Sequence, residues 1–259
     1  MYLPQLMKKA DAGEKLVALT CYDASFARAL FEAGVDILLV GDSLGMTVQG
    51  HNSTLPVSID HMIYHTDAVR RGAPEAFILA DLPFGSYQGT PSQAFENAAR
   101  LLAAGANMVK LEGGAIMVET LYFLSQRGIP VCAHLGLLPQ SVNVTGYRAQ
   151  AKEAKAAQQL IKDAAALEAA GASMLVLESI PSLVAAEVTQ CLNIPTVGIG
   201  AGNACDGQVL VLNDLLGLTP RPPRFAKNFL AEAGNIHDAV SLYIEAVKRG
   251  DFPGPEHSF

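Results

Sequence analysis

Apolar residues along the chain gather into short runs, separated by longer stretches of helical periodicity. The runs ILLV (37–40), FILA (77–80) and MLVL (174–177) show no polar alternation. Strands buried on both faces look like this, and they belong to a parallel sheet covered by helices. Strands are predicted over 15–23, 36–43, 77–86, 107–114, 129–139, 172–179, 194–202 (the last with its loop) and 208–214. Helices are predicted over 3–13, 25–34, 59–72, 91–105, 115–128, 153–171 and 181–192, with one or two closing helices between about Pro223 and Gly250. Ser25 is the expected N-cap of the second helix, and Pro91 falls in the first turn of another. The polar segments 44–58 and 141–152 are predicted as loops over an active site.

Eight strands, most of them separated by helices, favour an α/β fold: a closed (βα)8 TIM barrel. An open flavodoxin-like sheet is the alternative. No linker or composition shift divides the chain, so residues 1–259 are expected to form one domain, with a short N-terminal helix and C-terminal closing helices. An internal echo supports the barrel. ARALFEAGVDILLVGD (27–42), ARLLAAGANMVKLE (99–112) and AALEAAGASMLVLE (165–178) are variants of one unit: an Ala/Leu helix closed by Ala-Gly, a strand, then an acid. The glycine suits the left-handed residue just past a helix. Gly41 is one extra residue in the first copy, so Asp42, Glu112 and Glu178 take equivalent places at the ends of three strands. Asp81 follows FILA in the same way, and His134 follows VCA on the fifth strand.

Composition narrows the function. Half of the 259 residues are hydrophobic and 17% are charged, enough for one large core. A net charge of −7 with no basic cluster argues against nucleic acid as a partner. Cys21, Cys132, Cys191 and Cys205 are scattered without a CxxC pair, which argues against a thiolate metal site and fits reduced intracellular thiols. No apolar run is long enough to span a bilayer, and no leader pattern opens the chain. A cytoplasmic protein is the expectation.

Lys110 and Glu112 lie two apart on an apolar strand and so share one face. Alone, they read as an internal ion pair. With Asp42, Asp81, Glu178 and His134 they become part of a ring at the C-terminal mouth of a barrel, where barrel active sites sit. So many acids would raise one another's pKa values unless a cation separated them. The oxygen-rich set suits a hard ion such as Mg2+. VGIGAG (197–202) has the form of a glycine turn that can contact a ligand, and Asp206 is a further open candidate. His51, His61 and His65 have no such placement and are read as ordinary polar residues.

The segments VGDSLGM (40–46), ADLPFGSY (80–87), VKLEGG (109–114), AHLGLLPQSVN (133–143) and VLESIP (176–181), taken together, resemble the ketopantoate hydroxymethyltransferase family. The resemblance runs in order from LTCYD (19–23) to VLND (211–214), with PRFAKNF (223–229) after it. One segment departs: the family usually has Gly-Gly-Tyr-x-Val-Gln-Gly where this chain has TGYRAQAK (145–152). The resemblance implies a barrel enzyme that moves a hydroxymethyl group from 5,10-methylenetetrahydrofolate onto 3-methyl-2-oxobutanoate, giving 2-dehydropantoate for pantothenate synthesis. It implies Mg2+ and a large homo-oligomer, commonly a decamer. Carried over by motif, Asp42, Asp81 and Glu112 attend the metal. Asp42, Ser43, Asp81 and Lys110 contact the keto acid, with His134 grouped among them by its strand position, and Glu178 is the general base. The rival enzyme reading is a Mg2+-dependent 2-oxo acid lyase or mutase of the isocitrate lyase or phosphoenolpyruvate mutase kind. Those enzymes use a loop cysteine or further acid that this chain lacks. A barrel that only senses a keto acid would have no need of Glu178.

Overall fold

Eight parallel strands pair in sequence order, and the last closes back on the first, in the computed structural model, which describes residues 1–259. They are β1 (Leu16–Thr20), β2 (Ile37–Val40), β3 (Phe77–Asp81), β4 (Met108–Glu112), β5 (Val131–Gly136), β6 (Met174–Glu178), β7 (Thr196–Ile199) and β8 (Gly207–Leu210). The open-sheet alternative is excluded by the β1–β8 pairing, which leaves no sheet edge. Each strand is shorter than the span predicted for it, because only the residues in the ladder stay extended. On β3 the Leu82 N–H still reaches the Lys110 carbonyl at 2.9 Å. Pro83 follows without an N–H, and the chain turns out into a loop.

The first six helices are α1 (Leu3–Asp11), α2 (Ala24–Ala33), α3 (Leu44–Thr47), α4 (Ile59–Gly72), α5 (Pro91–Ala103) and α6 (Val118–Ser125). The remaining five are α7 (Val142–Thr145), α8 (Ala154–Ala169), α9 (Ser182–Cys191), α10 (Leu212–Leu215) and α11 (Ile236–Arg249). Several expectations are corrected here. Asp23, not Ser25, caps α2: its carboxylate accepts the N–H groups of Ser25 (2.8 Å) and Phe26 (3.0 Å). The helix starts at Ala24, which leaves Ser25 inside the first turn. The loops 44–58 and 141–152 contain the one-turn helices α3 and α7, too short to show a period in sequence. The predicted eighth strand ends at Leu210, and 212–215 turn helical. The echoed glycines behave as expected: Gly34, Gly105 and Gly171 have φ of 95°, 111° and 101°.

The helical end-pieces fix which mouth is open. α1 sits at the N-terminal ends of the strands, where Lys9 pairs with Asp36 just ahead of β2. The other Asp36 oxygen accepts the Val17 N–H at 3.0 Å. α11 packs on α2 and β1, and the buried Tyr243 hydroxyl reaches the carbonyls of Ala18 (3.0 Å) and Gln208 (3.1 Å). Phe229, Tyr243 and Phe252 stack edge to face beside it. All four cysteines are free, and burial pushes the Cys21 and Cys132 thiols up to about 12. No helix is long and apolar enough to cross a membrane.

Candidate active site

Strand register brings the predicted residues together. Asp81 lies opposite Lys110, Glu112 opposite His134, and Gly136 opposite Glu178. Residues in register on parallel strands share a face, as do residues two apart along one strand. Asp81, Lys110, Glu112, His134 and Glu178 therefore all project to the same side of the sheet, at its C-terminal end. Lys110 Nζ stands 3.1 Å from Asp81 Oδ1 and 3.3 Å from His134 Nδ1. His134 bridges two acids, with Nδ1 3.6 Å from Glu112 Oε1 and Nε2 3.2 Å from Glu178 Oε2. Protonated on both nitrogens the ring donates to Glu112 and Glu178; neutral with its proton on Nε2 it donates to Glu178 and accepts from Lys110.

Asp42 arrives by a different route. β2 ends at Val40, and Gly41 and the turn after it swing Asp42 inward, so its N–H donates to Asp81 Oδ2 at 3.0 Å. A Cβ at Gly41 would lie 2.8 Å from Ser43 Oγ, so a larger residue would push that hydroxyl aside. The extra residue of the sequence echo is thus the device that delivers this acid. Ser43 opens α3, and its Oγ lies 2.9 Å from the Tyr22 hydroxyl.

Sequence reasoning missed the residues that hold these acids in place. Gln140, just past β5, donates from Nε2 to Asp42 Oδ2 and to the Leu82 carbonyl, both at 2.9 Å. Its own N–H donates to Glu112 Oε2 at 3.0 Å. The Tyr87 hydroxyl donates to Gln140 Oε1 at 2.7 Å and accepts the Glu112 N–H at 3.0 Å. Both residues lie inside quoted motifs, as long polar side chains just past β5 and β3. That was the available signal. His51 was also passed over, yet it lines the cleft described below.

Other candidates fall away from the site. Asp206 accepts from the N–H and hydroxyl of Thr196 at 2.8 and 3.1 Å, at the opposite end of the barrel. The 197–202 turn is covered by the chain itself. A Cβ at Gly200 would meet Phe225 and Phe259, and one at Gly202 would meet Ser182. His61 completes the cap of α4, and His65 Nδ1 meets the Tyr22 carbonyl at 2.6 Å.

Charge is concentrated here. Asp42, Asp81, Lys110, Glu112 and His134 are each 5% exposed or less. Burial, then Asp81 and Glu112, push the Asp42 carboxyl well above the usual range. Burial pulls against ionised Glu112, but His134, Lys110 and the Gln140 N–H outweigh it and hold its carboxyl low. Burial and Lys110 pull His134 down, while Glu112 and Glu178 together win and raise it. Lys110 is raised, the three acids overcoming its burial. Asp81 Oδ1, Glu112 Oε1 and His134 Nε2 are buried without an aligned hydrogen bond. Buried polar atoms normally find one; here each has only an ion-pair partner, at 3.1, 3.6 and 3.2 Å, which leaves lone pairs on the two carboxylates free for an ion or a substrate. No three His, Cys, Asp or Glu side chains form a ready-made protein cage. A metal held here would take the rest of its ligands from water or substrate.

The cluster opens on a cleft of about 870 Å³. Asp42, Ser43 and Glu178 line it, while Asp81, Lys110, Glu112 and His134 form the layer behind. The divergent 145–152 loop forms part of its wall through Tyr147 and Arg148. In that loop Ala151 has φ 53°, where the family pattern has glycine. A left-handed conformation costs a non-glycine residue about 1–2 kcal/mol. Ala151→Gly is therefore expected to stabilise the protein by up to about 1 kcal/mol after the entropy of the unfolded chain is counted. Thermal unfolding checks this, and a loss beyond about 1 kcal/mol would contradict it.

The sequence profile of the ketopantoate hydroxymethyltransferase family matches residues 1–255. The chain belongs to that family. It is 63% identical over 258 residues to the 3-methyl-2-oxobutanoate hydroxymethyltransferase of Thiobacillus denitrificans, covering 99% of this chain and 98% of the relative. The enzyme of the same name from Nitrosospira multiformis is 60% identical over 254 residues, 97% of each chain. The chain is accordingly an enzyme, a transferase of the hydroxymethyltransferase kind. Among solved structures, a phosphonopyruvate hydrolase complex with oxalate and Mg2+ superposes with a TM-score of 0.64 at 13% identity, over 84% of each chain. That likeness is one of fold.

Proposed function

We propose that the transferase acts on 3-methyl-2-oxobutanoate with 5,10-methylenetetrahydrofolate and water, giving 2-dehydropantoate and tetrahydrofolate, with Mg2+ as its metal. The observation that carries this reading is the division of labour among the acids. Asp42, Asp81 and Glu112 share Lys110 and the Gln140 clamp, whereas Glu178 lines the cleft with His134 as its ion-pair partner. Asp42 and Asp81 would hold the metal, each of them tied to the other through the Asp42 N–H. Glu112, held by the Gln140 N–H and facing His134, would attend the metal beside them. The fold neighbour's complex with oxalate and Mg2+ supports a metal beside a small dicarboxylate-like group. When bound, Mg2+ would supply Lewis-acid polarisation of the keto acid's carbonyl.

The chain's own residues do the rest. Lys110 supplies positive charge against the substrate's carboxylate. Glu178 takes the proton from C3, and His134 orients its carboxylate. The one-carbon unit bridges two folate nitrogens, so both C–N bonds break. Water replaces one, forming the hydroxyl's C–O bond, and the enolate carbon displaces the other. The two nitrogens leave as tetrahydrofolate carrying one proton from the water and one from C3. The lyase or mutase reading is reduced to kinship of fold. A decamer and a cytoplasmic setting rest on the resemblance and composition alone, and sedimentation tests the first.

The metal assignment has its own test. Asp81→Asn keeps an acceptor for the Asp42 N–H but halves the anionic pair. Mg2+ binding by calorimetry is expected to weaken at least about tenfold, the change of one lost charge-assisted contact. Unchanged affinity would contradict the ligand assignment.

A further inference from the structure

The cleft is far larger than a five-carbon keto acid requires. At about 870 Å³ it lies in the range that buries a drug-sized ligand. Its inner end is acidic, with Asp42 and Glu178, and its outer wall carries Arg148, Arg221 and Arg224. Arg224 is engaged, with Nε donating to the Glu256 carbonyl at 3.0 Å and its guanidinium 5.3 Å from the Phe259 ring. Arg71, Arg100 and Arg249 pair with carboxylates elsewhere. Arg148 and Arg221 pair with none, although both face the same cleft from separate loops. The loop bearing Arg148 is tied across the cleft, where the Tyr147 hydroxyl lies 3.7 Å from Sδ of Met46 in α3. Two free guanidinium groups above an acidic floor, in a chain of net charge −7, form a local site for an anion.

We propose that Arg148 and Arg221 bind the glutamate carboxylates of the folate donor. This rests on the reading above, in which a folate delivers the one-carbon unit. Its reactive methylene must reach C3 of the keto acid at the inner end, so its tail runs outward along the cleft. A guanidinium pairs with a carboxylate through two parallel N–H donors, which a lysine cannot reproduce. Each further γ-linked glutamate adds a carboxylate, so the site favours the triglutamate over the monoglutamate. Arg148 occupies the free position of the family pattern, which lets this chain set its own preference at that contact.

The test compares the KM for mono- and triglutamyl 5,10-methylenetetrahydrofolate in the wild type, Arg148→Ala, Arg221→Ala and the double variant. The double variant is expected to raise the folate KM about tenfold or more and to lose the triglutamate preference, with kcat little changed. Arg148→Lys and Arg221→Lys should recover only part. Exchange of the C3 proton, which needs no folate, reports the keto-acid site separately and is expected to persist. Unchanged folate KM with normal exchange overturns the proposal and leaves the reaction intact. Loss of exchange in the double variant also overturns it, since the arginines would then serve the keto acid or the fold. Absence of exchange in the wild type sinks the underlying reading instead.

Discussion

Glu178→Gln is expected to keep the fold and lower the C3 proton exchange of 3-methyl-2-oxobutanoate by about 10²–10⁴, the usual worth of a positioned base. Glu178 ends β6, lines the cleft and is 13% exposed in its side chain. Glutamine is nearly isosteric and still offers an amide oxygen to His134 Nε2, so the geometry around the residue survives. What it cannot do is take a proton. Mg2+ and keto-acid binding should persist, because Glu178 makes no contact with Asp42, Asp81 or Lys110 that the substitution would break. Exchange in deuterated water, followed by NMR, gives the answer directly. A variant that exchanges at the wild-type rate would remove Glu178 from the mechanism, and His134 would be the next base to test.

Lys110→Met is expected to be the most destabilising single change at the site. The ammonium is 5% exposed and stands 3.1 Å from Asp81 Oδ1. Breaking a buried charge pair by removing one partner costs about 3–5 kcal/mol, because the other charge is left uncompensated. At about 2–4 °C per kcal/mol for a chain of this size, the melting temperature should fall by roughly 6–20 °C. The pH dependence has a definite sign. Lys110 is raised above its ordinary value, so its contribution is whole at neutral pH and is lost only as pH climbs through the folded-state value. In the variant, acidification should narrow the gap with the wild type. Asp42, already raised by burial and its acidic neighbours, then takes up a proton at less cost. Added Mg2+ should narrow it as well. A variant that melts with the wild type at neutral pH without Mg2+ would mean that the acids are not held against one another as described.

The barrel was legible because its strands are apolar on both faces, which only a covered parallel sheet requires. The site was legible through the echo of helix, Ala-Gly, strand and acid. Equivalent positions in repeated units fall at equivalent heights, and the register of β4, β5 and β6 places Glu112, His134 and Glu178 side by side. Even the offset at Gly41 had a physical meaning, since it turns Asp42 inward from beyond the end of β2. What stayed hidden depends on how loops fold back. Gln140 and Tyr87 follow β5 and β3 by several residues, and no periodicity says that their side chains return to the same acids. The cap of α2 was misplaced for a related reason: Asp23 and Ser25 are both good caps, and the point where the chain leaves β1 chooses between them. The glycine turn at 197–202 was left open by the sequence. Glycines admit a phosphate or a close-packed neighbour equally, and here Phe225, Phe259 and Ser182 take the space.

Wild-type exchange of the C3 proton, followed by NMR in deuterated water with the keto acid and no folate, tests the whole account most directly. The account predicts exchange that requires Mg2+ and proceeds without any one-carbon donor. Absence of exchange with Mg2+ present, or an equal rate after the metal is chelated away, would contradict it.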